Sequence, residues 1–476
     1  MSMINRLTFV ILFFLLSFDQ IYGQEMYLDS AFGTNGRAKF YYNGRYDETL
    51  DMAIQNDGKI ILVGDATYET ASLKWKVGRL NTDGTIDTTF NIPTTYPEYG
   101  WATTLKIQPD SKILVAGHTG FNNIILRYNN TGSIDSTFND SGYVSINPEA
   151  VKIFLVNNDK IIVVGNVGYG QTEIIRLNSD GTIDSTYGVN GVYVLDAFYT
   201  TSASMQSNRC IILTGGDYSL GGSQLRGIDL TGIPNAFFGT NGIVNDPQVL
   251  YSILQPDDKI ISVCRGEDTI FHTGFTIMRR FNADGSFDAT FNMVDSSSIT
   301  NYVDGLVLPN SKFLFAIQKF SLDSIGFIQL NSDGSIDSAF PTNNINLLDY
   351  SSTNKISIQA DGKILVSEVG VLGVKRFIRD FTSSISNPEL SINNYFVFQG
   401  NGYIGIQMRE EMKTQIIRIT ISDLYGKTIK EIPFENIPKN QNRFFFPIEN
   451  SHASGIYFIS LFTADKRKLV KKIFIN

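Results

Sequence analysis

Apolar and polar positions along this chain fall into short blocks that recur. Leu50, Met52 and Ile54 alternate with polar Asp51 and Gln55, the period of a strand with unlike faces. Asn56-Asp57-Gly58 is a tight-turn signal, and Ile60-Ile61-Leu62-Val63 follows as a continuous apolar run, the pattern of a strand covered on both faces. A third strand is expected from about Trp75 to Leu80, reaching a second turn at Asp83-Gly84. A fourth is expected after it, as in Gly191-Val-Tyr-Val-Leu195 of a later unit. No stretch sustains a 3.6-residue apolar stripe, so the chain reads as all-β.

The block returns about every fifty residues. Its first half ends on a basic residue at Lys59, Lys112, Lys160, Arg209, Lys259, Lys312 and Lys363. Its second half centres on Gly84, Gly132, Gly181, Gly232, Gly285 and Gly334, one fewer. The missing second half stands at the other end, where Leu28-Asp29-Ser30-Ala31-Phe32-Gly33 lines up with Ile134-Asp135-Ser136-Thr137-Phe138. The last unit stops near Arg376-Phe377 without its Asp-Gly turn. A linear stack has no use for a divided unit, whereas a ring does. Four strands in about fifty residues is the size of a propeller blade. The expectation is a seven-bladed β-propeller whose last blade is closed by the N-terminal strand.

The two ends add different segments. Residues 1–23 read as a secretory signal, with Arg6 before the apolar run Leu7 to Phe18 and Gly23 as a small residue suited to cleavage. Residues 24–382 are expected to form the propeller and 383–395 a linker around Ser383-Ser384-Ile385-Ser386-Asn387-Pro388. In 396–476, Phe396/Phe398, Ile404/Ile406 and Ile417/Ile419/Ile421 alternate, which suggests a small Ig-like β-sandwich. No transmembrane segment is expected in the mature chain.

Net charge is −8, but the stretch from residue 383 onward is +4, which leaves the ring at −12 with 26 basic and 38 acidic residues. That balance argues against a nucleic-acid partner, since phosphate binding needs a basic footprint. The two cysteines, Cys210 and Cys264, fall in adjacent units. Aligning Cys210 with Ile260 puts them four strand positions out of step, roughly 13 Å, beyond disulfide reach. Free buried thiols are expected.

Catalytic chemistry finds little support. Asn81-x-Asp83-Gly84-x-x-Asp87 faintly resembles a calcium loop but lacks a recurring bidentate Glu, and Gly84 sits where a turn needs positive φ, so these are read as structural turns. The recurring lysine is read as a solvated or ion-paired edge residue. His118, His272 and His452 have no zinc-ligand spacing, so no metal is expected. No cofactor motif occurs. Carboxylate pairs such as Asp47/Glu48 and Glu267/Asp268 read as surface charge unless they converge at the ring mouth. Both Asp-Gly turns must lie on one face of the ring, and the irregular connections on the other. Those connections carry the candidate ligand-binding residues Tyr46, Tyr96, Tyr99, Trp101, Phe121, Tyr169, Tyr199, Tyr218 and Phe271. Phe198 belongs to the same segments. Exposed aromatics on a rigid scaffold suit stacking on sugars or anchoring a protein.

The repeated Asp-Gly-Lys and Asn-x-Asp-Gly-x-x-Asp-x-x-Phe elements, over about residues 28–380, resemble the delta-60 repeat β-propellers. Asn158-Asp159-Lys160, Ser207-Asn208-Arg209 and Pro309-Asn310-Ser311-Lys312 depart from the first element. This resemblance implies a scaffold with no defined activity. The C-terminal segment resembles a type A sorting domain of the type IX secretion system. The elements are Asp423, Leu424, Gly426 and Lys427, then Gly455 and Tyr457, then Lys471 and Lys472. It implies the type IX machinery as a partner and export across both membranes to the cell surface or medium. The expected function is a non-catalytic binding or adhesion module for a glycan or protein. The alternatives are a carbohydrate-active enzyme using carboxylates at the mouth and a structural surface-layer component.

Overall fold

A computed structural model describes residues 23–40, 47–67, 73–92, 100–168, 170–217, 222–246, 248–267, 274–292, 294–296, 302–319, 324–337, 340, 355–382, 395–400, 403–408, 416–423, 428–433, 443–447, 455–463 and 468–475. The signal segment, residues 1–22, lies outside them. Beyond one 3-10 turn at Asn157–Asp159, the regular structure described is all strand. One compact unit is Gln24–Asp380; a second contains Phe381–Asn476.

The first unit holds seven antiparallel sheets, the seven blades. Blade 1 comprises Asp47–Ile54, Ile60–Thr67 and Leu73–Leu80; blade 2, Trp101–Ile107, Ile113–His118, Asn123–Tyr128 and Tyr143–Ile146. Blade 3 comprises Glu149–Leu155, Ile161–Val167, Gln171–Leu177 and Val192–Asp196; blade 4, Tyr199–Met205, Ile211–Asp217, Gly222–Ile228 and Ile243–Asn245. Blade 5 comprises Val249–Leu254, Ile260–Glu267, Gly274–Phe281 and Val294–Ser296; blade 6, Tyr302–Val307, Phe313–Lys319 and Ser324–Leu330. Blade 7 takes Ile356–Ile358, Ile364–Ser367 and Gly373–Thr382 from the end of the ring, and Gly23–Leu28 and Arg37–Lys39 from its start. The N-terminal segment therefore closes the last blade, with Ala38 opposite Val374. The continuous apolar runs are the second strands, sandwiched between neighbouring blades, and Ile60 to Val63 are fully buried.

The first strands of blades 1 to 6 depart from simple alternation. In each the register slips at one place, between Thr49 and Asp51, Ala102 and Thr104, Ala150 and Lys152, and equivalently in blades 4 to 6. The bulge turns Asp51, expected on a polar face, into a buried residue. Its carboxylate accepts from Thr104 Oγ1 at 2.9 Å and Leu105 N at 3.1 Å, so it pairs an edge N–H of the next blade. Ser202 does the same for Ser252 N and Asp304 for Ile356 N, at 3.1 and 2.9 Å. Side chains thus cover inner edges that would otherwise stay unpaired. Opposite the bulge of blade 1 the backbones approach so closely that a Cβ on Gly64 would stand 1.8 Å from Glu48 O, whereas blades 5 and 6 carry Cys264 and Ile317 at this position.

The recurring motif residues form the joints between blades. Arg79, Arg127, Arg176, Arg280 and Arg376 each donate from Nη1, at 2.6 Å, to a carbonyl of the next blade's turn: Asn130, Ser179, Leu230, Ser332 and, across the closure, Thr82. Each guanidinium also binds the motif aspartate of its own blade, as Arg127 Nε binds Asp135 Oδ2 at 2.7 Å, and lies over the motif aromatic, 4.5 Å from the Phe138 centroid. The recurring lysine completes the group, with Lys59 Nζ 2.8 Å from Asp87 and Lys160 Nζ 2.6 Å from Asp184. Backbone bonds join the same turns, including Asn139 N to Asp180 O at 2.6 Å and Gly33 N to Asp83 O at 2.7 Å.

Blade 4 corrects the sequence alignment. Arg209 N bonds Gln206 O, as Gly58 N bonds Gln55 O, so Arg209 takes the glycine position with φ 70°. Cys210, not Arg209, stands where the other blades carry lysine. The side-chain pattern hid this one-residue shift because Arg209 is itself basic. Cys210 therefore aligns with Lys259 rather than Ile260, and both cysteines are free and buried. Burial pushes their thiols up, to about 11 for Cys210 and about 12 for Cys264.

In the second unit, Tyr395–Gly400, Tyr403–Met408 and Arg443–Pro447 form one antiparallel sheet. Thr428–Pro433, Ile416–Asp423, Gly455–Thr463 and Lys468–Ile475 form another.

Candidate ligand-binding face

Antiparallel blades put the first-to-second and third-to-fourth turns on one side of the ring and the remaining connections on the other. Of the aromatic candidates on that second side, Trp101, Phe121 and Tyr199 are described; Tyr46, Tyr96, Tyr99, Tyr169, Tyr218 and Phe271 lie outside the described residues.

Trp101 and Phe121 come together at the rim of blade 2. Trp101 opens the inner strand and pairs in register with His118, the last residue of the second strand. Their rings stack at 4.5 Å between centroids and 17° between planes. Trp101 Nε1 donates to Glu149 Oε1 of blade 3 at 3.1 Å, and His118 Nδ1 accepts from Gly120 N at 2.8 Å, so both rings are braced. Thr119 N and Asn122 O close the loop at 2.9 Å, leaving Phe121 at its tip, 91% exposed. The approach is tight enough that a Cβ on Gly100 would stand 1.7 Å from His118 O. Asn123 Nδ2 to Asn147 O and Asn147 Nδ2 to Glu173 Oε1, at 2.9 and 2.8 Å, continue a polar rim into blade 3. In the sequence His118 stands out only as a histidine without metal-ligand spacing, and Glu149 not at all. Their signal is positional, one opposite Trp101 in the strand pair and the other at the same strand start one blade on.

Tyr199 stands apart, half-buried at the start of blade 4, while Phe198 beside it packs into the core.

A second group lies on the same side of blade 1. Glu48 stands directly opposite Asp65 in the strand pair, with Asp47 adjacent. Burial, then the charges of Glu48 and Asp47, pushes Asp65 up to about 6.

The turn side is committed to structure. Asp83 Oδ1 accepts from Thr85 N at 2.9 Å and Thr85 Oγ1 at 2.7 Å, an arrangement repeated at Asp180 and Asp284. That side also exposes one apolar residue in most blades, including Ile86, Ile183, Ile233, Phe287 and Ile336.

Such a ring is a β-propeller scaffold with a variable rim. Four of its stretches, residues 55–90, 108–138, 157–187 and 255–291, match the family described as a domain of unknown function (DUF5122) beta-propeller. Residues 400–476 match the secretion system C-terminal sorting domain. The chain therefore carries DUF5122 β-propeller repeats and a sorting domain. It is exported through the type IX secretion system to the cell surface or the extracellular space. No curated protein matches the chain. Similar solved structures include a protein from Lactobacillus plantarum at 8% identity and TM-score 0.44, covering 82% of this chain and 99% of that one. The β-propeller domain of the Trilobed protease from Pyrococcus furiosus is similar at 10% identity and TM-score 0.40, covering 73% and 99%. A Bacteroides caccae protein of unknown function is similar at 9% and 0.34, covering 62% and 92%. Among the described residues no helix is long and apolar enough to cross a membrane.

Proposed function

We propose that the exported propeller is a non-catalytic binding module whose ligand rests on the rim of blades 2 and 3. The observation that carries this reading is the braced Trp101–His118 stack beside the exposed Phe121. An ordered aromatic pair loses little freedom when a ligand covers it, and the flanking Glu149 and Asn123 supply hydrogen bonds of the kind a sugar or peptide uses. Residues 1–23 act as the signal for the inner membrane, 24–382 as the delivered ring, 383–395 as a linker and 396–476 as the sorting segment. Asp423, Leu424, Gly426, Lys427, Gly455, Tyr457, Lys471 and Lys472 are its recognition elements. The test is a glycan and surface-protein array probed with the full chain and with a Trp101→Ala/Phe121→Ala variant. Binding lost at unchanged thermal midpoint supports the reading; equal binding by both sinks it.

The carboxylates of blade 1 favour a second reading, acid/base hydrolysis at the ring mouth. A carboxyl near 6 beside two further carboxyl groups is the pattern of a general acid. Turnover on a polysaccharide panel that Asp65→Asn abolishes would establish it. An inactive wild type would remove it.

A further inference from the structure

The inner strands carry charged residues outside the arginine joints and the aromatic rim. The bulge position of the inner strand is Asp51 in blade 1, Lys152 in blade 3 and Asp304 in blade 6. Lys355 occupies it in blade 7, where Ser367 N bonds its carbonyl at 2.9 Å. Two residues further along blade 2 stands Lys106, part open to solvent and part covered by the cavity walls. Both aspartates have their hydrogens supplied, Asp51 by Met52, Thr104 and Leu105 and Asp304 by Ile356. Asp304 also holds the neighbouring Lys355 ammonium in its charged form.

Lys106 and Lys152 are different. Neither makes a hydrogen bond or salt bridge among the described residues, and together they line a cavity of about 410 Å³ between the inner strands of blades 1, 2 and 3. We propose that this cavity is an oxyanion site, in which a carboxylate, sulfate or phosphate group bridges the ammoniums of Lys106 and Lys152.

Three arguments carry it. Two like charges in one recess repel, and burial followed by Lys152 pulls the pKa of Lys106 down, with Asp51 offsetting only part of this. An anion between them reverses the sign of that interaction. Next, lysine is a compact cation with three rotatable donors, so two of them can adapt to tetrahedral or planar oxyanions alike. Finally, the local balance of three lysines against two aspartates sits inside a ring of charge −12. The acidic exterior repels extended polyanions, so the occupant is a small ion or a single anionic group. The volume falls within the range of small-ligand pockets and admits a sugar acid as well as an inorganic ion.

The test is calorimetric titration of the full exported chain with sulfate, phosphate and galacturonate, in chloride buffer of matched ionic strength. Wild type is expected to bind at least one of the three. Lys106→Gln and Lys152→Gln are each expected to weaken binding by about tenfold or more, and the double variant to abolish it. Tightest binding of galacturonate would identify a sugar carboxylate as the source, and of sulfate or phosphate an inorganic or ester group. Should Lys152→Gln fail to fold, Lys106→Gln decides alone, because part of its side chain reaches solvent. Acylation supplies a second readout: Lys106 is expected to be modified faster than surface lysines, and the bound anion to slow it. No binding by wild type at about 10 mM, a Kd too weak to hold the site filled, overturns the proposal. So does equal binding by wild type and the double variant. The Trp101→Ala/Phe121→Ala variant is expected to keep full anion affinity, which separates this site from the aromatic rim.

Discussion

The turn after the inner strand asks one residue for a left-handed backbone, and the blades meet that demand unequally. Gly58 and Gly362 adopt φ 84° and 82° at no steric cost, but Ser111, Arg209, Asp258 and Ser311 hold φ between 60° and 70° with a Cβ. A left-handed residue with a side chain costs roughly 1–2 kcal/mol, part of which glycine returns as unfolded-chain entropy. Ser111→Gly and Ser311→Gly are each expected to raise the chemical denaturation midpoint, by roughly 0.5–1 kcal/mol in stability, as measured by urea titration. Asp65 obeys a different rule. Its pKa rises from 3.8 unfolded to about 6 folded, so its protonated form favours the native state; that contribution is full below 3.8 and is lost as pH climbs through 6. Asp65→Asn should match wild type at low pH and exceed it in thermal midpoint above pH 6. Asp135 has the opposite sign. Burial pushes it up, but hydrogen bonds from Thr137 and Lys112 and the charge of Arg127 outweigh this and bring it down to about 2. Its contribution is full above 3.8 and fades as pH falls toward 2.

At the scale of elements, the motif is a joint, and nature has already varied it. Blade 3 keeps Lys160, Arg176 and Asp184; blade 6 replaces the arginine by Gln329, whose Nε2 still donates to Asp337 Oδ2 at 2.6 Å. Blade 4 replaces all three, with Cys210, Gly227 and Asn235, and Gln206 Nε2 bridges instead to Asp258 O and Ala283 O at 3.1 and 2.8 Å. A lone removal is the case no blade uses. Arg127→Ala should therefore cost about 3–5 kcal/mol by leaving the buried Asp135 with Lys112 as its remaining cationic partner. Arg127→Gln, and the double change Arg127→Ala/Asp135→Asn, should each cost clearly less. Equal costs in denaturant titration would show that the aspartate is not what the arginine serves. The blades themselves were legible because turn glycines and apolar runs repeat in register with the fold. Asp51 was not. A bulge of one residue reverses which face a strand position occupies, and nothing in Leu50-Asp51-Met52 announces it. The rim was half legible: Trp101 and Phe121 stand out as aromatics in irregular segments, whereas His118 and Glu149 acquire meaning only through strand register and the neighbouring blade.

The whole molecule depends on one joint made across the full length of the ring. Asp29 accepts from Arg376 Nε and Nη2 at 2.8 Å each, and Lys363 lies 3.5 Å from the same carboxylate. Arg376 in turn reaches Thr82 of blade 1, Phe32 fills the motif aromatic position 4.3 Å from that guanidinium, and Gly33 N bonds Asp83 O. The N-terminal segment thus supplies blade 7 with the same aspartate, aromatic and outer strand that blades 2, 3 and 5 take from their own sequence. Because the Asp29 and Arg376 contacts join residues 294 to 347 positions apart, they form only when both ends have folded, and they couple the first blade to the last. Removing residues 24–40 from the secreted form should free the outer edge of the third strand of blade 7 and bare Phe377, an exposed edge of the kind that recruits other chains. The expected outcome is a thermal midpoint lowered by several degrees, from loss of a buried ion pair worth about 3–5 kcal/mol together with strand pairing, and oligomers in size-exclusion chromatography. Asp29→Ala, which keeps the strand, should lower the midpoint without producing oligomers. A deletion that stayed monomeric with an unchanged midpoint would mean that the ring is held shut by packing between blades 7 and 1 alone.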